Sequence, residues 1–298
     1  MPADVTIVGC GVAGLSAAYP LVKAGARVVM LDAGETPVKK FGWHYPLLGS
    51  RAGFAHIHKD GKGRVLVESF VPGGLSEVWG GVCERFNDAD LRAAGLPRLD
   101  EHYDTIARRI GLTGKFSTYR GHTTLEELKT HPNFEYRKEF VTDIPRASRF
   151  TILACGAIGT AKLLKKQTRF YKGNTLYVCV SARRRPLRDL KPAEAFSVGE
   201  SYVLLYSVLP YIVVVDVRGP RVDLRAQGLY PLARKRLPDG STAHYAGGIK
   251  VDPDGKYADG VYVADASGWT ALPAKPITLT IMANANRVGE HVARLLYP

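Results

Sequence analysis

The chain has 298 residues, 46% hydrophobic and 23% charged, the composition of a globular protein with room for one large domain or two interleaved ones. Its 41 Lys and Arg against 28 Asp and Glu give a net charge of +13, which suits anionic partners: nucleotide phosphates, acidic substrates, nucleic acid or acidic lipid. No apolar run reaches the roughly 20 residues of a membrane span, and the N-terminus lacks a basic segment followed by a long apolar one, so a cytoplasmic location is expected.

From the N-terminus, Val5–Val8 is a short β-branched run, as in a buried parallel strand. Gly9, Gly11 and Gly14 follow as G-x-G-x-x-G. In this motif the first glycine permits the tight turn, the second lets a pyrophosphate approach the backbone, and the third lets the helix pack on the strand. Leu15, Ala18, Leu21 and Val22 have helical spacing, and Gly25 stops the helix. A second strand over 27–31 ends at Asp32, where an acid accepts hydrogen bonds from the adenosine ribose. The same acid argues against a 2′-phosphate and leaves FAD or NAD. Without a ligand, the stretch would simply be a well-packed βαβ unit.

Residues 69–86, SFVPGGLSEVWGGVCERF, place Gly73, Gly74, Gly80 and Gly81 around Trp79. Paired glycines let backbone lie against a planar ligand, and an aromatic between them can pack beside it. Residues 91–111 read as a helix and 122–132 as a shorter helix and loop. Residues 150–166, FTILACGAIGTAKLLKK, read as buried strand, glycine turn and amphipathic helix. From about 173 to 243 the chain changes character. TLYVCVSA, SYVLLYSVLPYIVVVDV and RVDLRAQG are β-rich runs broken by Gly and Pro. Between them, Arg183, Arg184, Arg185, Arg188 and Lys191 form the densest basic cluster, either a solvated loop or an anion-binding rim. With no zinc finger, RNP-like strand or long basic helix, no nucleic-acid partner is expected. The strand over 261–264 ends at Asp265, which either caps the next turn or faces a bound dinucleotide. Pro276 then suits the first turn of a helix over 277–294. Cys10, Cys83, Cys155 and Cys179 have neither CxxC nor metal-ligand spacing, so no metal site is expected, and Cys10 and Cys155 read as buried thiols.

Taken together, the N-terminal fingerprint, GGLSEVWGG, ACGAIGTAKLL, HYAGG and GVYVADASGWTALPAKPITLTIMANA resemble the glucose–methanol–choline (GMC) family of FAD-dependent oxidoreductases. The resemblance covers both ends and a central island, roughly half the chain. It implies an α/β fold with a Rossmann-like FAD-binding domain, assembled from residues 1–172 and 244–298, and a smaller antiparallel β-sheet substrate domain over 173–243. It assigns the cofactor to Gly9, Gly11, Gly14, Asp32 and Ala33, to Gly74, Trp79, Gly80 and Gly81, to Ala154 and Gly156, and to Asp265, Pro276, Ile277 and Thr278. Asp265 would then serve the ribityl chain or the pyrophosphate. The helix after Pro276 would stabilise charge on the reduced flavin. GLSEVW has no His or Cys at the family's covalent-flavin position, so FAD is expected to bind non-covalently.

The implied reaction oxidises CH–OH in an alcohol or sugar-type substrate, with hydride passing to flavin N5. His244 stands at the family's catalytic histidine and is the expected base. Lys275 stands where the family has a second His or Asn, and would stabilise an alkoxide, bind an acidic substrate or point to solvent. Tyr245 is a lesser candidate. His56 and His58 alternate on a strand and read as surface groups. The electron acceptor (oxygen, quinone or protein) stays open. Relatives are generally much longer, which leaves three readings of the short substrate domain: an open active site, a partner subunit that completes it, or a specialised large substrate. Two alternatives stand: an isomerase or epimerase that returns the hydride, and a non-catalytic FAD-binding subunit that docks a partner.

Overall fold

The structure, a computed structural model, describes residues 2–37, 54–185, 187 and 192–298. Its first layer is built on the N-terminal unit. Strand β1 (Val5–Val8) leads into helix α1 (Val12–Lys23) and strand β2 (Val28–Asp32), and β1 and β2 pair in parallel, Val5 opposite Val28. All four β1 residues are buried, as a strand covered on both faces requires.

Strands β3 (His56–Lys59) and β4 (Val65–Glu68) form a separate hairpin. Residues 91–111 do not form one helix. Gly95, with φ of +72°, ends α2 (Asp88–Ala94), and α3 (Asp100–Arg109) starts after Pro97. The break has a local cause: a left-handed glycine closes a helix and proline cannot continue it. After α4 (Gly121–Lys129) come β5 (Phe134–Lys138), β6 (Phe150–Leu153), α5 (Gly156–Leu163) and β7 (Phe170–Tyr171).

The next strands are β8 (Thr175–Ser181), β9 (Glu194–Val198), β10 (Ser201–Leu209), β11 (Ile212–Arg218) and β12 (Leu229–Arg236). They form an antiparallel sheet in the order β12-β8-β11-β10-β9. The chain closes with β13 (Tyr245–Ala246), β14 (Lys256–Ala258), β15 (Val261–Val263) and α6 (Thr278–Leu296). The main sheet runs β14-β15-β6-β1-β2-β5, with only the β14 edge antiparallel. Widely separated segments thus share one parallel sheet, and the fold is a Rossmann-like α/β unit with a second, antiparallel β unit.

Helices α1 and α6 pack together over one face of the main sheet around Leu15, Leu21, Met30, Ile152, Val288 and Val292. Gly289 makes the contact possible, because a Cβ there would lie 2.3 Å from the Ala17 carbonyl oxygen. Among the described residues, no helix is long and apolar enough to cross a membrane, and no group of three or more His, Cys, Asp or Glu could hold a metal.

Candidate active-site cleft

A cleft of about 1820 Å³ opens between the two sheets, larger than the roughly 300–1,000 Å³ of a drug-sized pocket. One end is the glycine turn after β1. Gly9 has φ of +105°, and a Cβ there would lie 2.4 Å from the Ala154 carbonyl oxygen. Gly14 lets α1 sit on the turn, where a Cβ would lie 1.9 Å from the Gly9 carbonyl oxygen. Gly11 differs: its φ is −79°, and a Cβ would meet nothing within 4 Å on the protein side. Gly9, Gly11, Val12 and Ala13 border the cleft, so α1 starts there with no side-chain cap and no acid in its first turn. Unsatisfied N–H groups and the positive dipole end therefore meet the cavity.

Asp32 reaches the same end. Its two carboxylate oxygens accept from the Cys10 N–H at 2.8 Å and the Gly34 N–H at 2.9 Å. Burial raises its pKa above the ordinary carboxylate value, and those two N–H groups oppose the rise. A carboxylate offers about four acceptor sites, so this anchored group can still receive ribose hydroxyls. A glycine turn with room at Gly11, an uncapped helix start and an anchored Asp32 are the donor and acceptor set a dinucleotide needs.

The second glycine loop packs onto the first. The Gly73 N–H donates to the Cys10 carbonyl at 3.0 Å, and a Cβ on Gly74 would stand 3.1 Å from the Gly11 Cα. Gly74, Trp79 and Gly80 border the cleft, and the Trp79 indole N–H is fixed on the Tyr119 carbonyl at 2.9 Å. Gly81 does not. A Cβ there would lie 2.0 Å from the Ser117 carbonyl oxygen, so its service, like Gly14's, is close packing.

Ala33, Ala154, Gly156, Asp265, Pro276, Ile277 and Thr278 also face the cleft. Asp265 combines both readings of its sequence. It caps the next turn through the Ser267 N–H at 2.9 Å, takes the Thr160 hydroxyl, and still borders the cavity. Burial raises its pKa despite those bonds. Helix α6 begins at the cleft with no side-chain cap and no acid in its first turn. Cys155 is half-buried at the edge of the cavity, and the desolvation it meets there pushes its pKa up to about 12.

The opposite wall is the antiparallel sheet. Side chains alternate along a strand, so Asn174 and Leu176, Leu204 and Tyr206, and Val214, Asp216 and Arg218 all face the cleft. Val203, Leu205, Val213, Val215 and Val217 fill the core behind them. His244 stands beside this wall, one residue after Ala243, a non-glycine residue in the left-handed region with φ of +55°. Arg218 Nη1 lies 3.3 Å from His244 Nε2 and 3.4 Å from Nδ1, favouring neither tautomer. Burial, then Arg218, then Lys172 hold the His244 pKa well below 6.5, so the ring is neutral near pH 7. The Arg218 Nε–H donates to Asp216 at 3.3 Å. The other Asp216 oxygen accepts from the Asn174 amide at 2.6 Å, and Ser241 donates to the Asn174 carbonyl oxygen at 2.6 Å.

Sequence reasoning missed Arg218, Asp216, Tyr206 and Asn174. The available signal was IVVVDVR, in which Asp216 and Arg218 hold the period-2 positions of an apolar strand. Lys275 requires correction. Its ammonium is 2.7 Å from Asp90, and the residue does not border the cleft. The Tyr245 hydroxyl is taken up by backbone, receiving the Val67 N–H at 2.8 Å and donating to the Gly240 carbonyl at 3.0 Å. Of the described residues of the basic cluster, Arg183 and Arg184 are exposed, Arg185 is buried, Arg183 and Arg185 both pair with Glu194, and none borders the cleft. Arg188 and Lys191 lie outside the described residues. His56 and His58 are exposed and sit against Glu35 and Glu68, with His58 also at the cleft edge.

No protein-family model and no curated protein sequence matches the chain. By fold it is similar to pyridoxine 4-oxidase from Mesorbium loti, with a TM-score of 0.64 and 13% identity over 97% of this chain and 99% of that one. At that identity, the likeness bears on the fold.

Proposed function

We propose that the chain is a GMC-type, FAD-dependent oxidoreductase that oxidises the CH–OH group of an alcohol or sugar-type substrate, with His244 as base. The observation that carries this reading is a single cleft shared by a dinucleotide-type glycine turn, two uncapped helix starts and a neutral histidine. The fold likeness to an oxidase supports a flavin oxidoreductase at the coarser level.

In this reading the α1 N-terminus and Gly11 receive the pyrophosphate, and Asp32 receives the adenosine ribose. Asp265 and the Gly74–Gly80 segment flank the rest of the cofactor, and Gly81 acts behind them by packing. FAD, held non-covalently, would supply the hydride acceptor. The α6 N-terminus stabilises negative charge at the cofactor's edge. His244 is neutral and accepts the substrate hydroxyl proton; Arg218 stabilises the oxygen as that proton leaves. Residues 173–243 supply the substrate wall, and the remaining cofactor residues come from 1–172 and 244–298.

The test is FAD uptake followed by anaerobic flavin bleaching across alcohols, sugars and polyols. The expected result is a yellow protein that bleaches with at least one of them. His244→Ala should keep FAD and slow bleaching by about 100-fold or more. A colourless protein that refuses FAD sinks the proposal, and unchanged bleaching in His244→Ala removes His244 from the chemistry.

A further inference from the structure

We propose that the substrate carries an anionic group, a carboxylate or a phosphate, held by Arg218 beside His244, with Lys172 adding positive potential from behind the cleft wall. The proposal rests on the oxidoreductase reading and adds to it a substrate class.

The charges around His244 do not balance. Arg218 is 11% exposed and Asp216, its partner, is 5% exposed, so these two offset each other. Lys172 adds a second cation. Its backbone N–H donates to the His244 carbonyl at 3.0 Å, and its charge acts on both His244 and Arg218. Among the described residues, no carboxylate stands within ion-pair distance of Lys172. Asp239 does act on it, but that acid is 54% exposed and lies 3.6 Å from Arg236. A half-buried cation without a close counter-charge is costly, and an incoming anion relieves the cost.

Arg218 is also held ready. Ser241 fixes Asn174, Asn174 fixes Asp216, and Asp216 takes the Arg218 Nε–H, each through the bonds given above. Nη1 faces the His244 ring, and Nη2 has no acceptor among the described residues. The guanidinium therefore borders the cleft with donors uncommitted, in the planar fork that suits carboxylate or phosphate oxygens.

The same arrangement selects for charge during the reaction. Once His244 takes the hydroxyl proton, the imidazolium faces Arg218 and Lys172. An anion on Arg218 supports that proton, whereas a neutral alcohol leaves the imidazolium facing the Asp216-paired Arg218 and the unpaired charge of Lys172.

The test uses non-oxidisable probes on the isolated protein: acetate, inorganic phosphate and neutral acetamide, followed by NMR of the His244 ring protons. Acetate or phosphate should give a saturable shift and acetamide none, and the tighter anion names the group. Arg218→Gln should weaken that binding by about tenfold or more, equivalent to about 1.4 kcal/mol, and Lys172→Gln should weaken it measurably. Because Arg218→Gln strands buried Asp216, Lys172→Gln and Arg218→Lys decide the matter if that variant does not fold. No saturable response to either anion, or wild-type affinity in the folded variants, overturns the proposal. FAD uptake on the same samples separates the two readings. A protein that takes up FAD but ignores both anions sinks only the anionic substrate, whereas one that refuses FAD sinks the oxidoreductase reading.

Discussion

Replacing Gly11 with alanine tests whether the glycine turn serves a ligand or only packing. The backbone at Gly11 is ordinary, with φ of −79° and ψ of −176°, and a Cβ there meets nothing within 4 Å. Alanine should therefore leave the cofactor-free fold intact, or stabilise it by about 0.4–1 kcal/mol through the reduced entropy of the unfolded chain. The added methyl projects into the space that the proposed function gives to the pyrophosphate. Crowding a close-packed contact costs about 1–3 kcal/mol, which weakens FAD binding by roughly 5- to 150-fold. Gly14→Ala provides the contrast. Its Cβ would stand 1.9 Å from the Gly9 carbonyl oxygen, and contact is ordinary only from 3.4 Å outward. Helix α1 cannot retreat freely, because Gly289 of α6 presses on Ala17 and Pro20 behind it. Gly14→Ala should thus lower the urea midpoint as well as FAD affinity. Fluorescence titration of FAD and urea unfolding of the apoprotein separate the two effects. Gly11→Ala binding FAD like wild type, or losing apoprotein stability to the same extent as Gly14→Ala, would refute the reasoning.

Three further outcomes are expected. His244 stays neutral in the fold while its unfolded counterpart takes a proton near 6.5. Stability should therefore rise with pH up to that region and be lost below it, with a slope contribution of at most about 1.4 kcal/mol per pH unit. Urea unfolding from pH 5 to 8 should show a shallower slope in His244→Asn; identical slopes would mean the folded ring titrates normally. Lys275→Met removes the Asp90 pair, so stability should fall by about 1 kcal/mol or less, while the rate of flavin bleaching stays within about twofold. A larger rate loss would return Lys275 to the chemistry. Gly289→Ala brings a Cβ to 2.3 Å from the Ala17 carbonyl oxygen and should cost about 1–3 kcal/mol in thermal or urea unfolding.

The sequence alone determined the features that depend on near neighbours. G-x-G-x-x-G, the β-branched run before it and the acid eighteen residues later specify a βαβ unit with room for a phosphate, because turn geometry and side-chain periodicity act within a few residues. The β-rich run after residue 173 was legible for the same reason. Its functional face was not: Asp216 and Arg218 look like two polar breaks in an apolar strand until the β8–β11–β10 pairing turns them toward His244. Only tertiary structure decided that Lys275 belongs to Asp90 and that Gly81 serves packing, whereas the break of 91–111 into two helices has its cause in neighbouring Gly95 and Pro97. The reason is physical: an electrostatic partner is set by distance in space, and the residues that meet at His244 come from strands far apart along the chain.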